Sequence, residues 1–230
     1  MYRILLIITV LFMLVCPVFS NEIELEKYNS IQTRIDEIGV KLLNANKIDK
    51  RIVFEYDENA KKRALGLYKE LTKRQIIVFG DLYKSAQTDD EIAGMLAREI
   101  TLALKSYSGH WGGRIDSIQV AAGSKKFEIV ADKRAVDFMV NAGYNPLALI
   151  IYINKTCPQK RSDKISRTNL TSKRLAYIYE YITFKYPQYL VNNELIDNQY
   201  YQNFLLTSLY NRSKLNEKIR TRSTKVIKYE

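Results

Sequence analysis

The 230-residue chain is poor in cysteine, histidine, proline and glycine, with two, one, four and nine of these residues respectively. So few cysteines exclude a disulfide-rich scaffold, and so few glycines and prolines exclude a collagen. Hydrophobic residues make up 47% of the chain, which is enough to build a core and excludes a largely disordered protein. The net charge of +11 would suit an anionic partner such as nucleic acid or a lipid surface, although a general bias toward lysine explains it equally well.

The N-terminus carries a long stretch without charge. Arg3 precedes the uncharged run Ile4–Ser20, which has the length and the apolar centre of an export signal. We therefore predict a signal peptide over residues 1–20 and an exported protein, periplasmic or secreted. An uncleaved membrane anchor is the alternative, because the 17 uncharged residues fall just short of the roughly 20 that a spanning helix needs. Removing the signal would leave Cys157 as the only cysteine, which excludes an intrachain disulfide.

Periodicity in the first third of the mature chain predicts one helix and a small sheet. Two β-branched and aromatic runs, Arg51–Tyr56 and Gln75–Phe79, and the weaker run Ala64–Tyr68 predict three short strands. Before them, apolar residues recur at intervals of three and four, which predicts an amphipathic helix. These residues are Leu25, Tyr28, Ile31, Ile35, Ile38 and Leu42.

Capping signals predict the boundaries of three further helices. Thr88 followed by Glu91 is a capping box, and the apolar spacing after it predicts a buried helix over about Asp89–Ser106. A second helix should end at Gly143. Asn145 and Pro146 suit the cap and first turn of a third helix, running to about Asn154. The second helix is indicated by periodic apolar residues, namely Val120, Phe127, Val130, Ala131 and Phe138.

The last third of the chain is basic. Residues Lys155–Arg174 contain seven basic residues and one acid with little periodicity, which predicts an exposed loop. Helical stretches are expected over Ser172–Lys185 and Asn193–Tyr210, and a tail from Asn211 carries seven basic and two acidic residues. We accordingly divide the mature chain into a domain over residues 21–190 and a C-terminal helical extension with a basic tail over residues 191–230.

Several segments together resemble one enzyme family. Asp90–Leu102, with an acidic-Glu start and Ala97-Arg98-Glu99, is similar to the active helix of the zinc metallopeptidases related to HtpX and the CAAX prenyl endopeptidases. Glu128–Asp132 resembles that family's E-x-x-A-D motif, and Gly143–Pro146 its Gly-Tyr-x-Pro. Gln75–Leu82 and Thr171–Arg174 resemble the strand before the active helix and the later segment around an arginine. The resemblance implies an α+β, mainly α-helical, gluzincin-like domain with a small three-stranded sheet packed on the active-site helix.

The metal-binding motif of that family is altered in this chain. In H-E-x-x-H, two histidines one helical turn apart hold zinc and the glutamate activates water. The corresponding residues here are Arg98, Glu99 and Leu102, and neither guanidinium nor hydrocarbon can coordinate a metal. The resemblance therefore implies that Glu99 is a vestigial general base and Glu128 a vestigial third ligand. We expect no cofactor, and zinc only if a non-standard site exists.

Other family positions add little to a metal site. The resemblance places Asp132 and Arg174 around the site in supporting roles, whereas exposed surface charges are the alternative. The family's later histidine is matched by Thr168. His110, the only histidine, lies in a glycine-rich link and could at most supply one ligand.

Charge suggests what replaces the metal. Without a cation, Glu99 and Glu128 would repel each other across the vacated site. We therefore hypothesise that Arg98 pairs with Glu128, through one or both oxygens, in place of the metal bonds. The alternative is that all three are solvated surface charges.

Three functions remain open at this stage. The first is an exported, catalytically inactive peptidase-like protein that binds a polypeptide along the strand Ile76–Phe79 or acts structurally. The second is an active zinc metalloendopeptidase with a non-standard site built from His110, Glu99, Glu128 or Asp132. The third is a basic surface, formed by Lys155–Arg174 and the tail, that binds an anionic membrane or polymer. Export argues against nucleic acid as the partner.

Overall fold

The computed structural model describes residues 25–59, 75–106, 124–157 and 170–230. This part of the chain is mainly helical with a small parallel sheet, which confirms the predicted mainly α-helical composition, while the gluzincin-like fold stays a prediction. The predicted signal peptide, the strand Ala64–Tyr68, His110 and Thr168 lie outside the described residues. The elements are α1 (25–45), β1 (Val53–Asp57), β2 (Gln75–Phe79), α2 (Gly80–Ser85), α3 (Asp89–Ser106), α4 (Ser124–Asn141), α5 (Leu147–Thr156), α6 (Leu170–Lys185), α7 (Gln188–Val191), α8 (Gln199–Thr207) and α9 (Leu209–Arg220).

Helix α3 is the central helix and packs against α4, α5 and β2. Half of its predicted capping box is present: the Glu91 N–H donates to Thr88 Oγ1 at 3.3 Å, whereas the Glu91 carboxylate accepts from the Gln87 N–H at 3.2 Å, one residue before the expected donor Thr88. The first of these bonds satisfies an amide group that the first helical turn leaves without a partner. The helix therefore begins at Asp89 and ends at Ser106, as predicted.

The sheet consists of two parallel strands in the part of the chain that the structure describes, with Val53 opposite Gln75 and Asp57 opposite Phe79. Helix α1 closes the other edge of β1. The Gln32 side-chain amide donates to the Phe54 carbonyl at 3.0 Å and accepts from the Tyr56 N–H at 2.8 Å. One side chain thus supplies the donor and the acceptor that another strand would otherwise provide.

Helix α1 buries only part of its predicted apolar face. Ile35, Ile38 and Leu42 are in the core, but Leu25 is 60% exposed, so the prediction is wrong for the first turn. The helix ends with Lys47 at φ 52°, where the Lys47 N–H bonds to the Asn44 carbonyl and the Ile48 N–H to the Leu43 carbonyl. This is a Schellman motif with lysine at a position that glycine usually takes.

Helix α4 ends as predicted, with Gly143 at φ 75° in a second Schellman motif. The predicted cap of α5 is also present, since Asn145 Oδ1 accepts from the Leu147 N–H at 3.0 Å. Val130, in contrast, is 54% exposed although it was predicted as part of the apolar face. The buried side of α4 instead carries Asp132. Its negative charge is tolerated in the core because Arg174 forms an ion pair with it.

The predicted exposed loop Lys155–Arg174 is wrong at both ends. Lys155 lies in the last turn of α5 with its side chain 6% exposed, and its ammonium is 2.8 Å and 2.9 Å from the two carboxylate oxygens of Glu91. Arg174 is buried within α6. Each charge is accommodated because an acid from another helix neutralises it. Residues 158–169 lie outside the described ranges.

The C-terminal prediction also needs correction. The expected helix Asn193–Tyr210 begins only at Gln199 and is divided at Ser208 into α8 and α9, and the expected tail from Asn211 is helical as far as Arg220. Asn211 is buried because its side-chain amide donates to the Glu230 carbonyl and to Ser172. Helix α8 packs on α5, and α9 packs on α6 and α8. Within the described ranges, no helix has the length and apolar character needed to cross a bilayer.

Candidate functional site

The residues singled out from the sequence meet between three helices. On α3, Arg98 and Leu102 are one turn apart and therefore share a face. Helix α4 packs against α3 and contributes Glu128 and Asp132, again one turn apart. Helix α6 packs against α4 and contributes Arg174. The matched family positions are thus brought together in space although they lie up to 76 positions apart in the sequence.

Arg98 is the centre of this group. Its guanidinium bonds through Nη2 to Glu128 and through Nη1 to Glu99. Its Nε is 3.3 Å from Asp132 Oδ1, without the alignment of a hydrogen bond. The hypothesised Arg98–Glu128 contact is therefore present. It is not bidentate, however, because the two terminal nitrogens bind different carboxylates.

The bidentate pair is formed by Arg174 and Asp132. Arg174 Nε and Nη2 donate to the two Asp132 oxygens at 2.7 Å and 2.8 Å, and Nη2 is 3.5 Å from Glu128. The side chains of Arg174 and Asp132 are 7% and 1% exposed. The pairing of Arg98 and Arg174 with buried acids rules out the alternative that these residues are solvated surface charges. We call Arg98, Glu99, Glu128, Asp132 and Arg174 the ion network.

The carboxylates keep both arginines charged. Burial lowers the pKa of Arg98, but the negative charges of Glu99, Glu128 and Asp132 outweigh it, and the net pKa is well above the usual arginine value. Burial lowers the pKa of Arg174 in the same way, and Asp132 more than compensates. Two permanent cations therefore face three carboxylates, and the network links α3, α4 and α6.

This set of side chains does not fit a zinc ion. A catalytic zinc site usually has three protein ligands and an open position. Here Leu102 is buried and offers no lone pair, and the carboxylates of Glu99 and Glu128 are bound by the Arg98 guanidinium. Among the residues that the structure describes, no group of three His, Cys, Asp or Glu side chains could hold a metal. His110 and Thr168 lie outside them.

One residue near the site was missed by the sequence analysis. Tyr152 on α5 is 6% exposed, and burial, followed by the negative charge of Glu99, raises the pKa of its phenol. The protein therefore favours the neutral phenol more strongly than water does. The only signal in the sequence was a polar group within the apolar run Leu147–Ile153, which otherwise indicates core packing.

Comparisons of the chain with protein-family models, with curated proteins and with solved structures return no match. The resemblance to the HtpX-related peptidases therefore rests on the motifs quoted from the sequence. Of the residues quoted for those motifs, Arg98, Glu99, Glu128, Asp132 and Arg174 are in contact in the structure.

Proposed function

We propose that the chain is a catalytically inactive, gluzincin-like domain related to the HtpX-type metallopeptidases, in which the ion network takes the place of the metal. The observation that carries this proposal is the Arg98 guanidinium, which bonds to Glu99 and Glu128 together. In the proposed ancestral site, these two acids are the general base and the third ligand. A protonated arginine neutralises both carboxylates and fixes α3 to α4 without a metal ion.

The same contacts explain why hydrolysis is not expected. A general base must reach the proton that it removes, directly or through one water. The Glu99 side chain is only 4% exposed, and its carboxylate is already bound to Arg98. Glu128 is 23% exposed but also bonds to Arg98. We propose that the remaining role is structural or one of binding.

A polypeptide is the partner that we propose for the binding role. The outer edge of β1 is closed by Gln32, and Tyr28 also donates to the Tyr56 carbonyl at 2.9 Å. Within the described residues, β2 has no strand on its other side. An extended segment could add there through backbone hydrogen bonds.

We propose that the protein is exported from the cytoplasm, on the basis of the signal-like composition of residues 1–20.

The proposal is tested by restoring the missing imidazoles. The double variant Arg98→His/Leu102→His recreates H-E-x-x-H on α3 opposite Glu128, and we expect it to gain about one zinc ion per chain. Metal content after purification without chelator and zinc-dependent thermal stabilisation are the two readouts. The wild-type protein should show neither, and it should not cleave unfolded, fluorescently labelled casein.

A matched control distinguishes coordination from loosening of the site. Arg98→Ala/Leu102→Ala removes the same side chains without adding ligands, so it should not gain zinc. Failure of the histidine variant to bind zinc more tightly than the alanine variant would contradict the metallopeptidase ancestry. Stoichiometric zinc and casein hydrolysis in the wild type, both lost in Glu99→Gln, would instead establish the active-enzyme alternative.

A further inference from the structure

The last nine residues lie along the surface with a defined orientation. Tyr229 is 4% exposed, and its ring packs edge-on against Tyr177 with centroids 4.9 Å apart. At the end of the chain, the Glu230 N–H donates to Asn211 Oδ1 at 3.1 Å, and its carbonyl accepts from Asn211 and Ser172 at 2.8 Å each. Anchoring on this side determines which side chains of the tail face outward.

Three cationic side chains of the tail have no ion-pair partner among the described residues. Arg222, Lys225 and Lys228 are exposed, and among the described residues none of them forms an ion pair. Val226, between the two lysines, is 83% exposed. Other cations nearby are neutralised, since Lys214, Lys218 and Arg220 pair with Glu230, Glu180 and Glu217 respectively.

Exposed apolar side chains adjoin these charges. A depression of about 430 Å³ is lined by Phe184, Ile219, Arg222 and three neighbouring residues. Phe184 is 55% exposed and Ile219 is 44% exposed. A hydrocarbon surface and an unpaired guanidinium therefore meet in one concave region. Val226 and Lys228 line a second depression, which also contains Glu217. We call Phe184, Ile219, Arg222, Lys225, Val226 and Lys228 the C-terminal face, which comprises parts of both depressions and the tail that joins them.

Arg222 occupies a backbone position that favours glycine. It has φ 50° at the end of α9, where its N–H bonds to the Ile219 carbonyl at 3.2 Å and the Ser223 N–H bonds to the Lys218 carbonyl at 3.1 Å. This is a Schellman motif, and a side chain in the left-handed region strains the backbone. Arg222 lies beside Ile219 in the depression despite this strain, so replacement by glycine separates the role of the side chain from that of the backbone.

We propose that the C-terminal face binds the surface of a bilayer rich in anionic phospholipids. Arg222, Lys225 and Lys228 lie among the phosphates, and the apolar side chains enter the interface. A nucleic acid fits this face less well, because the Lys218 ammonium lies 5.4 Å from the centre of the Phe184 ring and covers one of its faces. Val226 and Ile219 are aliphatic and offer no surface on which a base can stack.

Sedimentation with lipid vesicles tests the proposal. We expect the protein to bind vesicles containing roughly one third phosphatidylglycerol far more tightly than pure phosphatidylcholine, and to dissociate as salt rises. Each unpaired cation contributes about a fivefold increase in affinity, so Arg222→Gln/Lys225→Gln/Lys228→Gln should bind about 100-fold more weakly. Equal binding to both vesicle types, or undiminished binding of the triple variant, would overturn the proposal.

Two variants separate the side chain of Arg222 from the backbone strain. Arg222→Gly relieves the strain, so its melting temperature should not fall, while its affinity for the anionic vesicles should fall about fivefold. Lys47→Gly relieves the same kind of strain at the end of α1, at the cost of one lysine, and should leave vesicle binding unchanged. An equal loss of affinity in both variants would show that net charge alone is responsible and would overturn the assignment to this face.

Heparin distinguishes a lipid surface from any other polyanion. Phe184→Ser should bind heparin as the wild type does, because its charge is unchanged, but should bind anionic vesicles roughly tenfold more weakly, because the ring no longer enters the interface. Unchanged vesicle binding by Phe184→Ser would show a purely electrostatic surface and would contradict the lipid assignment. All substituted side chains of the face are at least partly exposed, so the variants should fold.

Discussion

Replacement of Arg98 by alanine is the most direct test of the ion network. Arg98 contacts three carboxylates, and two of these, on Glu99 and Asp132, belong to side chains that are 4% and 1% exposed. Asp132 would keep its bidentate bond to Arg174 in the variant. Glu99 and Glu128 would both lose the guanidinium, so the main cost should fall on these two acids.

The expected cost follows from their burial. Removal of one partner from a buried ion pair costs about 3–5 kcal/mol, because the other charge is left poorly solvated. Glu128 is 23% exposed and can be partly rehydrated, so we expect the lower end, about 3 kcal/mol. For a domain of this size, such a loss lowers the melting temperature by about 6–12 °C.

Urea denaturation and thermal melting followed by circular dichroism measure this loss. Arg34→Ala is the matched control, because Arg34 pairs with Asp89 at 2.6 Å but the two side chains are 39% and 60% exposed. Its free energy of unfolding should change by less than about 1 kcal/mol. The double variant Arg98→Ala/Glu128→Gln should lose less stability than the sum of the single variants, with a coupling of about 0.5–3 kcal/mol.

Two results would refute this reasoning. An Arg98→Ala protein that unfolds at the wild-type urea concentration would show that the contacts contribute no net stability. Strict additivity of Arg98→Ala and Glu128→Gln would show that the two side chains are not coupled.

Two further predictions concern other parts of the fold. Gln32→Ala should lower the free energy of unfolding, measured by urea denaturation, by about 1–3 kcal/mol, since two backbone groups of β1 lose their partner. Gln32→Glu keeps the shape of the side chain but cannot donate to the Phe54 carbonyl, so it should also be less stable than the wild type. Burial raises the pKa of Tyr152, Tyr201 and Tyr229, so the fold favours the neutral phenols. Their stabilisation is complete below the unfolded tyrosine value near pH 10 and is lost above it. When the ionisation of the 17 tyrosines is followed by absorbance at 295 nm, some of them should therefore ionise only when the protein unfolds at alkaline pH. Ionisation of all the tyrosines near pH 10 in the folded protein would contradict this.

Local signals in the sequence were sufficient to predict helix ends that depend on hydrogen bonds within about one turn of the backbone. The capping box of Thr88 and Glu91 correctly located the start of α3, and Gly143 correctly located the end of α4. In each case the hydrogen bonds join residues at most five positions apart, so the residue types alone indicate the geometry.

Long-range contacts could not be predicted in the same way. Lys155 looked like part of a solvated loop because Glu91, its partner, is 64 positions away. Asn211 looked like the start of a polar tail because its amide bonds to Glu230, 19 positions away. For the ion network, the repulsion between Glu99 and Glu128 predicted that Arg98 pairs with Glu128, but the sharing of Arg98 among three carboxylates depends on how α3 packs against α4.

The closed edge of β1 has a consequence for self-association. Sheets propagate between molecules when both outer strands offer unpaired backbone groups, which is how edge-to-edge aggregates grow. Gln32 and Tyr28 occupy those groups on one side. A sheet with one edge already hydrogen-bonded can pair with another strand only at its opposite edge. Two copies that pair through β2 would therefore have no free edge at β1 where a third copy could add to form a fibre.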